Sequence, residues 1–598
     1  MEAVLSKIAL QGGEFLIKDT LAEDIFIPEE LNEEQKMIQE TVRDFLHNEI
    51  FPNVEKIEHQ EDNITPRLLE KMAELGLLGT HMPEQYGGLQ LDTNTNTLIG
   101  DALGPAGAFT VSFAAHIGIG MLPILYFGTE AQKDQYLPRL ISGELKAAYC
   151  LTEPGSGSDA LAAKTRADLS ADGKNYILNG QKMWISNAGF ADVFIVFAKI
   201  DGDKFTGFIV DRSTPGLTLG AEEKKLGIKG SSTRQVFFEN AAVPVEHVLG
   251  KIGKGHLIAF NALNTGRFKL CSLSLGGAKY SVTTAIRYGN ERIQFGVPIA
   301  SFGAIQYKLA EQAIRIFSTE SALFRVSNLM ELKKQEFEAQ GLSFGESELK
   351  AAEEYAIECS ILKVTGSEAL NYVVDETVQV HGGMGFSEEG TAARAYRDAR
   401  INRIYEGTNE INRLLSIDML LKRAMKGALD IVGPAWEVQK ELASMPGFEK
   451  VEGTYAEEKK AVKDFKKAVL MVAGAAAKLQ MEGKLDLKEE QEIIMNVADM
   501  LSDLFLAESL LLRVEKLAGM TGKVKQEVYD AILKVFMHDV TLRMNKNGTD
   551  ALASFAEGDL LRTMLMGLKR FTKYPAQNVK AMRRLVADAL IEANEYAF

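Results

Sequence analysis

The chain has 598 residues, 46% of them hydrophobic and 25% charged, enough polypeptide for about four domains around a large buried core. Fourteen prolines and 52 glycines leave no room for a collagen-like or broadly disordered chain. Lys and Arg number 67 against 82 Asp and Glu, a net charge of −15, which argues against nucleic acid as a partner.

Residues 1–30 read as a leader with no basic stretch, long apolar run and small-residue cleavage site in succession. No window is expected to reach the ~18 uninterrupted apolar residues that span a bilayer. Cys150, Cys271 and Cys359 are far apart and form neither a CxxC pair nor a zinc spacing. No metal site is expected, and a reducing, cytoplasmic setting fits this cysteine usage.

The first helix starts at LNEEQKMIQETVRDFLHNEI, where Asn32 can cap and Gln35 reach back, with Ile38, Val42 and Phe45 on one apolar face. Helical periodicity fills residues 31–146, broken at Pro83, Gly87, Gly88, Gly104 and Pro105. Over 147–255 the texture becomes β: YILNG, ADVFIVFAKI, FTGFIVDRS and RQVFFEN, separated by turn residues, as in an antiparallel barrel or sandwich. Long helical segments over 256–421 fit an antiparallel four-helix bundle. Residues 422–598 form an additional all-helical tail, with a loop-like MPGFEKVEGTY and an amphipathic ADMLSDLFLAESLLLRVEKL. The fold class is α+β, with a β domain set between helical layers.

No GxGxxG links a strand to a helix and no GxxxxGK[ST] occurs, so Rossmann and P-loop readings fail. The one GxSxG, Gly341 to Gly345, lacks the preceding strand of a nucleophile elbow. Four runs hold more. In AAYCLTEPGSGSDA (147–160) an apolar strand meets a small-residue loop able to approach a planar or anionic ligand, although GSGSD alone reads better as a solvent-facing turn. In NGQKMWISNAGFAD (179–192) Trp184 follows a hairpin-like Asn179-Gly180, and taken by itself core packing explains it better than a ligand does. In QVHGGMGFSEEGTAARAYRD (379–398) glycines precede a helix carrying Arg394 and Asp398, either a phosphate seat or a plain connection. In ARINRIYEGTNEINR (399–413) Glu406 lies between Tyr405 and Gly407. It could be a base whose pKa is raised by burial, or a solvated carboxylate at a helix end.

Together these runs resemble the acyl-CoA dehydrogenase family. CLTEPGSGSDALA (150–162) looks like its first signature, 379–398 like its second, and RIYEGTNEINR like the segment bearing its catalytic glutamate. The resemblance covers about Leu31 to Leu421. The tail is similar in length and helicity to the extra domain of the very-long-chain branch.

The resemblance implies an FAD enzyme that converts long-chain acyl-CoA to trans-2-enoyl-CoA, the first step of fatty acid β-oxidation. Glu406 would take the α proton and flavin N5 the β hydride, with the carbonyl polarised by the Glu406 N–H and a ribityl hydroxyl. It further implies Tyr149, Leu151 and Thr152 along the isoalloxazine, and Trp184, Ile185 and Ser186 over its other side. Arg292 and Phe295 would meet the pyrophosphate and adenosine half across a subunit interface, and Gln379, Gly382 and Gly383 would come from the neighbouring subunit. Thr408 and Glu410 would sit near FAD. Ser158 would touch CoA or the thioester end, Arg267 the CoA phosphates and active site, and Tyr405 and Gly407 the substrate. Gly266, at a position where some branches place the base, cannot serve. Small residues at Val111, Ala115, Gly118 and Gly120 suggest a deep acyl slot or tight helix packing. An electron-transferring flavoprotein is the implied acceptor and a homodimer the implied assembly. Basic residues over Arg562–Arg584 suggest weak peripheral membrane contact or a solvated face. An acyl-CoA oxidase and a non-catalytic flavoprotein scaffold are the rival readings.

Overall fold

The computed structural model describes residues 9–442, 444, 452–520, 522 and 524–598. The first eight leader residues and MPGFEKV of the tail loop lie outside them. The N-terminal layer is helical. Its first helix, Glu33–Phe45, has the expected capping box: Gln35 N donates to Asn32 Oδ1 (2.9 Å) and Asn32 N to Gln35 Oε1 (3.0 Å). Val42 and Phe45 are buried beneath it.

Ala108–Phe127 corrects one expectation. By length and composition it could cross a bilayer, but 83% of its apolar window is buried inside the protein. It is two short helices, Ala108–Ala114 and Leu122–Phe127, joined by a π turn at Ala115–Gly120. The turn is anchored by His116, whose Nδ1 accepts from Ala147 N (3.1 Å) and whose Nε2 bonds Leu140 O (3.0 Å). A Cβ on Gly120 would lie 2.6 Å from Ala147 Cβ. Gly120 therefore serves close packing of the turn on the first strand, not an acyl slot.

That strand, β1 (Ala147–Cys150), opens a sheet continued by β2 (Arg166–Leu169), β3 (Asn175–Ser186), β4 (Val193–Ile200), β5 (Lys204–Asp211), β6 (Leu217–Glu222), β7 (Thr233–Pro244) and β8 (Val248–Leu249). The order is β6-β7-β3-β2-β4-β5-β8, with β1 also on β4. The sheet is not purely antiparallel, since β1 and β2 both run parallel to β4. The register gives the reason. β1 lies beside Val193–Val196 and β2 beside Lys199–Ile200, so the chain leaves one edge of β4 at Cys150 and rejoins it at Arg166 in the same direction. The TEPGSGSD loop is the excursion between. Glu153 ties it down, accepting from Lys164 N and Thr165 N and pairing with Lys182 Nζ at 2.6 Å. The Lys182 side chain is 0% exposed. Lys182→Met is therefore expected to strand the Glu153 charge and cost about 3–5 kcal/mol, read as a lower melting temperature. An unchanged melting temperature would mean the pair does not hold the loop.

The bundle consists of α1 (Gly255–Glu291), α2 (Gly303–Ala339), α3 (Ala356–His381) and α4 (Asn409–Met425). Its core runs without a break into the tail helices, through Phe317, Phe465, Phe505 and Leu533. The described part of the leader is no free segment. Phe15 packs on Phe505 (4.6 Å between ring centres), Gly13 N donates to Glu358 Oε1 (2.7 Å), and Glu29 meets Arg513, which also binds Glu320. Residues 9–30 thus stitch tail to bundle, a role a short stretch without periodicity does not announce. In the basic stretch, Arg562 pairs with Asp559, Arg570 with Glu441, and Arg583 with Glu311 and Asp539. These pairings neutralise part of the charge that membrane contact would use.

Candidate active site

Glu406 lies on the short loop that delivers the chain into α4. Its φ is +58° and that of Gly407 is +80°, and a non-glycine residue in the left-handed region costs on the order of 1–3 kcal/mol. Three buried side chains hold it there. Arg267 Nε donates to Glu406 O (3.3 Å), Lys363 Nζ to Gly407 O (2.6 Å), and Asn412 Nδ2 to Gly407 O (2.9 Å). Thr408 Oγ1 accepts from Ile411 N (3.2 Å) and caps α4.

The strained turn points the carboxyl into a cavity of about 190 Å³. Glu406 Oε2 is cut off from solvent with no hydrogen-bond partner among the described residues. Burial pushes the Glu406 pKa up to about 7, against the pull of the Arg267 and Lys363 charges. Lys363 is displaced the other way, down to about 7, because burial disfavours its ammonium more than Glu406 supports it. The Glu406 N–H finds no acceptor among the described residues. The site therefore offers a proton acceptor and a free backbone donor side by side.

Space for the carboxyl comes from Gly266 on α1. A Cβ there would lie 2.7 Å from Glu406 Oε2 and 3.0 Å from Cδ. Gly266→Ala is expected to leave the fold intact, since only the end of a flexible side chain must yield, but to displace the carboxyl and lower kcat at least about tenfold. Full activity in that variant would place the working carboxyl elsewhere.

The rest of the cavity is largely apolar, with Val111, Ala115 and Gly118 on one wall and Leu270, Leu273 and Gly277 on another. A Cβ on Gly118 would meet nothing within 4 Å. Tyr405, Ser186 and Asp398 also line it. Tyr405 donates to Asn402 Oδ1 and Asp398 accepts from Ile228 N. Burial raises the Asp398 carboxyl to about 6.

Beside the cavity the first two sequence motifs converge. Met183 N donates to Thr152 O (2.9 Å), joining the TEPGSGSD loop to β3 next to Trp184. Trp184 is 52% exposed at φ +60°, where the β3–β7 register slips between Lys182 and Ile185. An exposed indole on strained backbone, next to half-buried Leu151 and Thr152 and cavity-lining Ser186, fits a flat conjugated ring better than it fits core packing. The buried Tyr149 hydroxyl, without a partner among the described residues, lies close enough to feel the Glu406 charge.

Two expectations need correction. Ile185 is 2% exposed and packs in the sheet's own core, so its side chain cannot cover a ligand on the Trp184 face. Arg267 is buried, with its guanidinium committed to Glu406 O and Asn264 Oδ1. It positions the glutamate loop and is not open to a phosphate. Ser158, on the loop, and Glu410, in the first turn of α4, are exposed outside the cavity wall, open to the CoA and FAD contacts expected of them. Arg292, Phe295, Gln379, Gly382 and Gly383, expected at a subunit interface, do not line the Glu406 cavity of this chain. They cluster where α1 and α3 end, around Tyr288 stacked on His381 (4.4 Å), with Phe295 95% exposed at φ +54°. Lys363 and Asn412 were not anticipated. The available signal was a lone lysine in the apolar run CSILKVTG.

Comparison with known proteins identifies the family. Family models for the N-terminal, middle and C-terminal domains of acyl-CoA dehydrogenase match residues 32–144, 148–241 and 253–421, and a further acyl-CoA dehydrogenase C-terminal model matches 464–570. A Bacillus subtilis protein named "Probable acyl-CoA dehydrogenase" is 46% identical, covering 98% of each chain. The mitochondrial very long-chain specific acyl-CoA dehydrogenase of Macaca fascicularis is 42% identical over 60% of this chain and 53% of its own. The crystal structure of an acyl-CoA dehydrogenase complexed with FAD from Bacillus anthracis superposes with a TM-score of 0.95 at 46% identity, covering 99% of this chain and all of that one. With three domain models aligned in order and a relative matched along nearly its whole length, the chain belongs to the acyl-CoA dehydrogenase family.

Proposed function

We propose that this protein is an FAD-dependent dehydrogenase of long-chain acyl-CoA that removes the α proton with Glu406. The observation that carries the reading is the buried Glu406 carboxyl, its Oε2 unpartnered among the described residues, on the wall of a largely apolar cavity. A proton acceptor with a pKa of about 7 is matched to neutral pH, and a water-poor cavity strengthens every charge interaction inside it.

FAD, as in the Bacillus anthracis relative, supplies the two-electron acceptor for the hydride leaving the β carbon. Thr152, Trp184 and Ser186 would hold its ring. The chain's own residues do the rest. Arg267, Lys363 and Asn412 fix the strained loop, so that the Glu406 carboxyl meets the α carbon and its N–H meets the thioester oxygen, where enolate charge develops. The wall of Val111, Ala115 and Gly118 takes the acyl chain, each buried methylene contributing about 0.8 kcal/mol. Similarity to the very-long-chain enzyme and the open space at Gly118 support a long chain. An electron-transferring flavoprotein as acceptor and a homodimer complete the proposal. The exposed cluster at the ends of α1 and α3 is the surface a second subunit would use.

The test is anaerobic bleaching of the bound flavin near ~450 nm on adding palmitoyl-CoA. Bleaching, followed by slow recovery in air, is the expected result. Rapid recovery in air would favour an oxidase. No bleaching with any acyl-CoA would leave a non-catalytic scaffold.

A further inference from the structure

One wall of the Glu406 cavity is not apolar. Lys269, one turn along α1 from Gly266, lines that cavity and also a second one of about 80 Å³. The two share Lys269, Leu273 and Ala114 as a common wall, and the second reaches on to His81, Tyr126, Glu348 and Lys334. Its polar groups are unevenly matched. Tyr126 bonds Glu348 Oε2 (3.2 Å) and Lys334 pairs with Glu331 (3.1 Å). Lys269 Nζ is cut off from solvent with no hydrogen-bond partner among the described residues, the Glu348 carboxyl acting on it only as an opposite charge, and the buried His81 ring has at most the Ile117 backbone beside it.

Buried ammonium and imidazole groups without partners are rare, because each gives up hydration and receives nothing in return. A cavity wall serving only to pack an acyl chain would carry leucine or methionine at these positions. The Lys269 ammonium instead offers free N–H donors and a positive charge to whatever enters, with the His81 ring as the polar group beside it. Glu331 is already paired, and burial raises the Glu348 carboxyl to about 7, so that at neutral pH it carries only part of a negative charge against an entering anion. The volume takes a few waters or one carboxylate with a methylene or two.

We propose that the second cavity is a subsite for a terminal carboxylate on the acyl chain, making ω-carboxy acyl-CoAs preferred over plain acyl-CoAs of matched length. Lys269 and His81 determine that preference. The inference rests on the acyl-CoA reading of the Glu406 cavity. A terminal carboxylate replaces the lost hydration of Lys269 with a charge-assisted hydrogen bond, whereas a terminal methyl strips that hydration and leaves its N–H donors unmet.

The experiment uses the FAD-loaded full chain. kcat/KM is measured for plain acyl-CoAs from octanoyl to hexadecanoyl and for the ω-carboxy thioesters of the same lengths. The ω-carboxy series is expected to win by about tenfold or more at the lengths that reach Lys269, and Lys269→Met and His81→Phe should each erase that advantage. The wild-type series stands alone if a variant fails to fold. Plain chains preferred at every length, or an advantage unchanged in both variants, would overturn the proposal. Failure here is distinct from failure of the acyl-CoA reading, in which no thioester of either series reduces the flavin.

Discussion

Glu406→Gln is expected to lower flavin reduction by palmitoyl-CoA about 10²–10⁴-fold, the usual contribution of a positioned base, and at alkaline pH to make the protein more stable. Both effects follow from the raised pKa of about 7. Only the ionised carboxylate accepts a proton, so wild-type kcat/KM should fall as pH drops through about 7. The stability term has the opposite sign. The folded protein holds the Glu406 proton more tightly than the unfolded chain, whose glutamate titrates near 4.5. That contribution is fully present below about 4.5 and is lost as pH rises through about 7, where the fold must keep a buried anion. Glutamine has the same shape and no charge. It should match the wild type at about pH 4 and exceed it by up to about 3 kcal/mol at about pH 8. Glu348 and Glu358 are also raised by burial to about 7, so the difference between the two proteins is what reports on Glu406. Thermal unfolding of both across that range checks it. A pH-independent difference would show that burial does not hold the Glu406 proton.

What could be read from the sequence divides by the range of the interaction. The Asn32–Gln35 box, the β runs and the helical tail are set by neighbours in sequence, and each appears where periodicity and capping chemistry place it. Glu406 was legible only through the pattern of its segment, because a lone glutamate carries no mark of burial. What makes it a base comes from residues well over a hundred positions away, Gly266 clearing space and Arg267 taking its carbonyl. The same separation hid the true job of Arg267, which reads as an open cation until its partners are seen. Gly118 and Gly120 look alike in sequence, yet one faces open space and the other β1, since residues two apart fall on opposite faces of a helical turn. The parallel pairings of β1 and β2 escaped for a related reason: strand direction depends on where the loop returns, and the TEPGSGSD excursion brings the chain back to the edge it left.

The same long-range logic predicts opposite outcomes at two adjacent glycines of α1. A Cβ on Gly276 would lie 1.7 Å from Asp101 O and 3.1 Å from Gly104 Cα, while one on Gly277 would come no closer than 3.5 Å to anything. Gly104 answers from the facing turn, where its own Cβ would lie 2.3 Å from Leu273 O and 2.4 Å from Gly277 N. Two backbones therefore touch, and neither can yield as a side chain would. The contact is reinforced by Lys279, which pairs with Asp101 (2.9 Å) and with Glu320. Gly276→Ala is expected to destabilise by about 3 kcal/mol or more, at the upper end of overpacking effects. Gly277→Ala should be neutral or stabilising, since alanine is the better helix former by about 1 kcal/mol. Gly104 and Gly277 also line the Glu406 cavity, so forcing the helices apart at Gly276 would open the wall that shields the base from water. Melting temperatures of the two variants decide the matter. Equal losses would mean that the helices do not meet backbone to backbone here, whereas loss at Gly276 alone would show that the absence of one methyl group lets the N-terminal layer close the site.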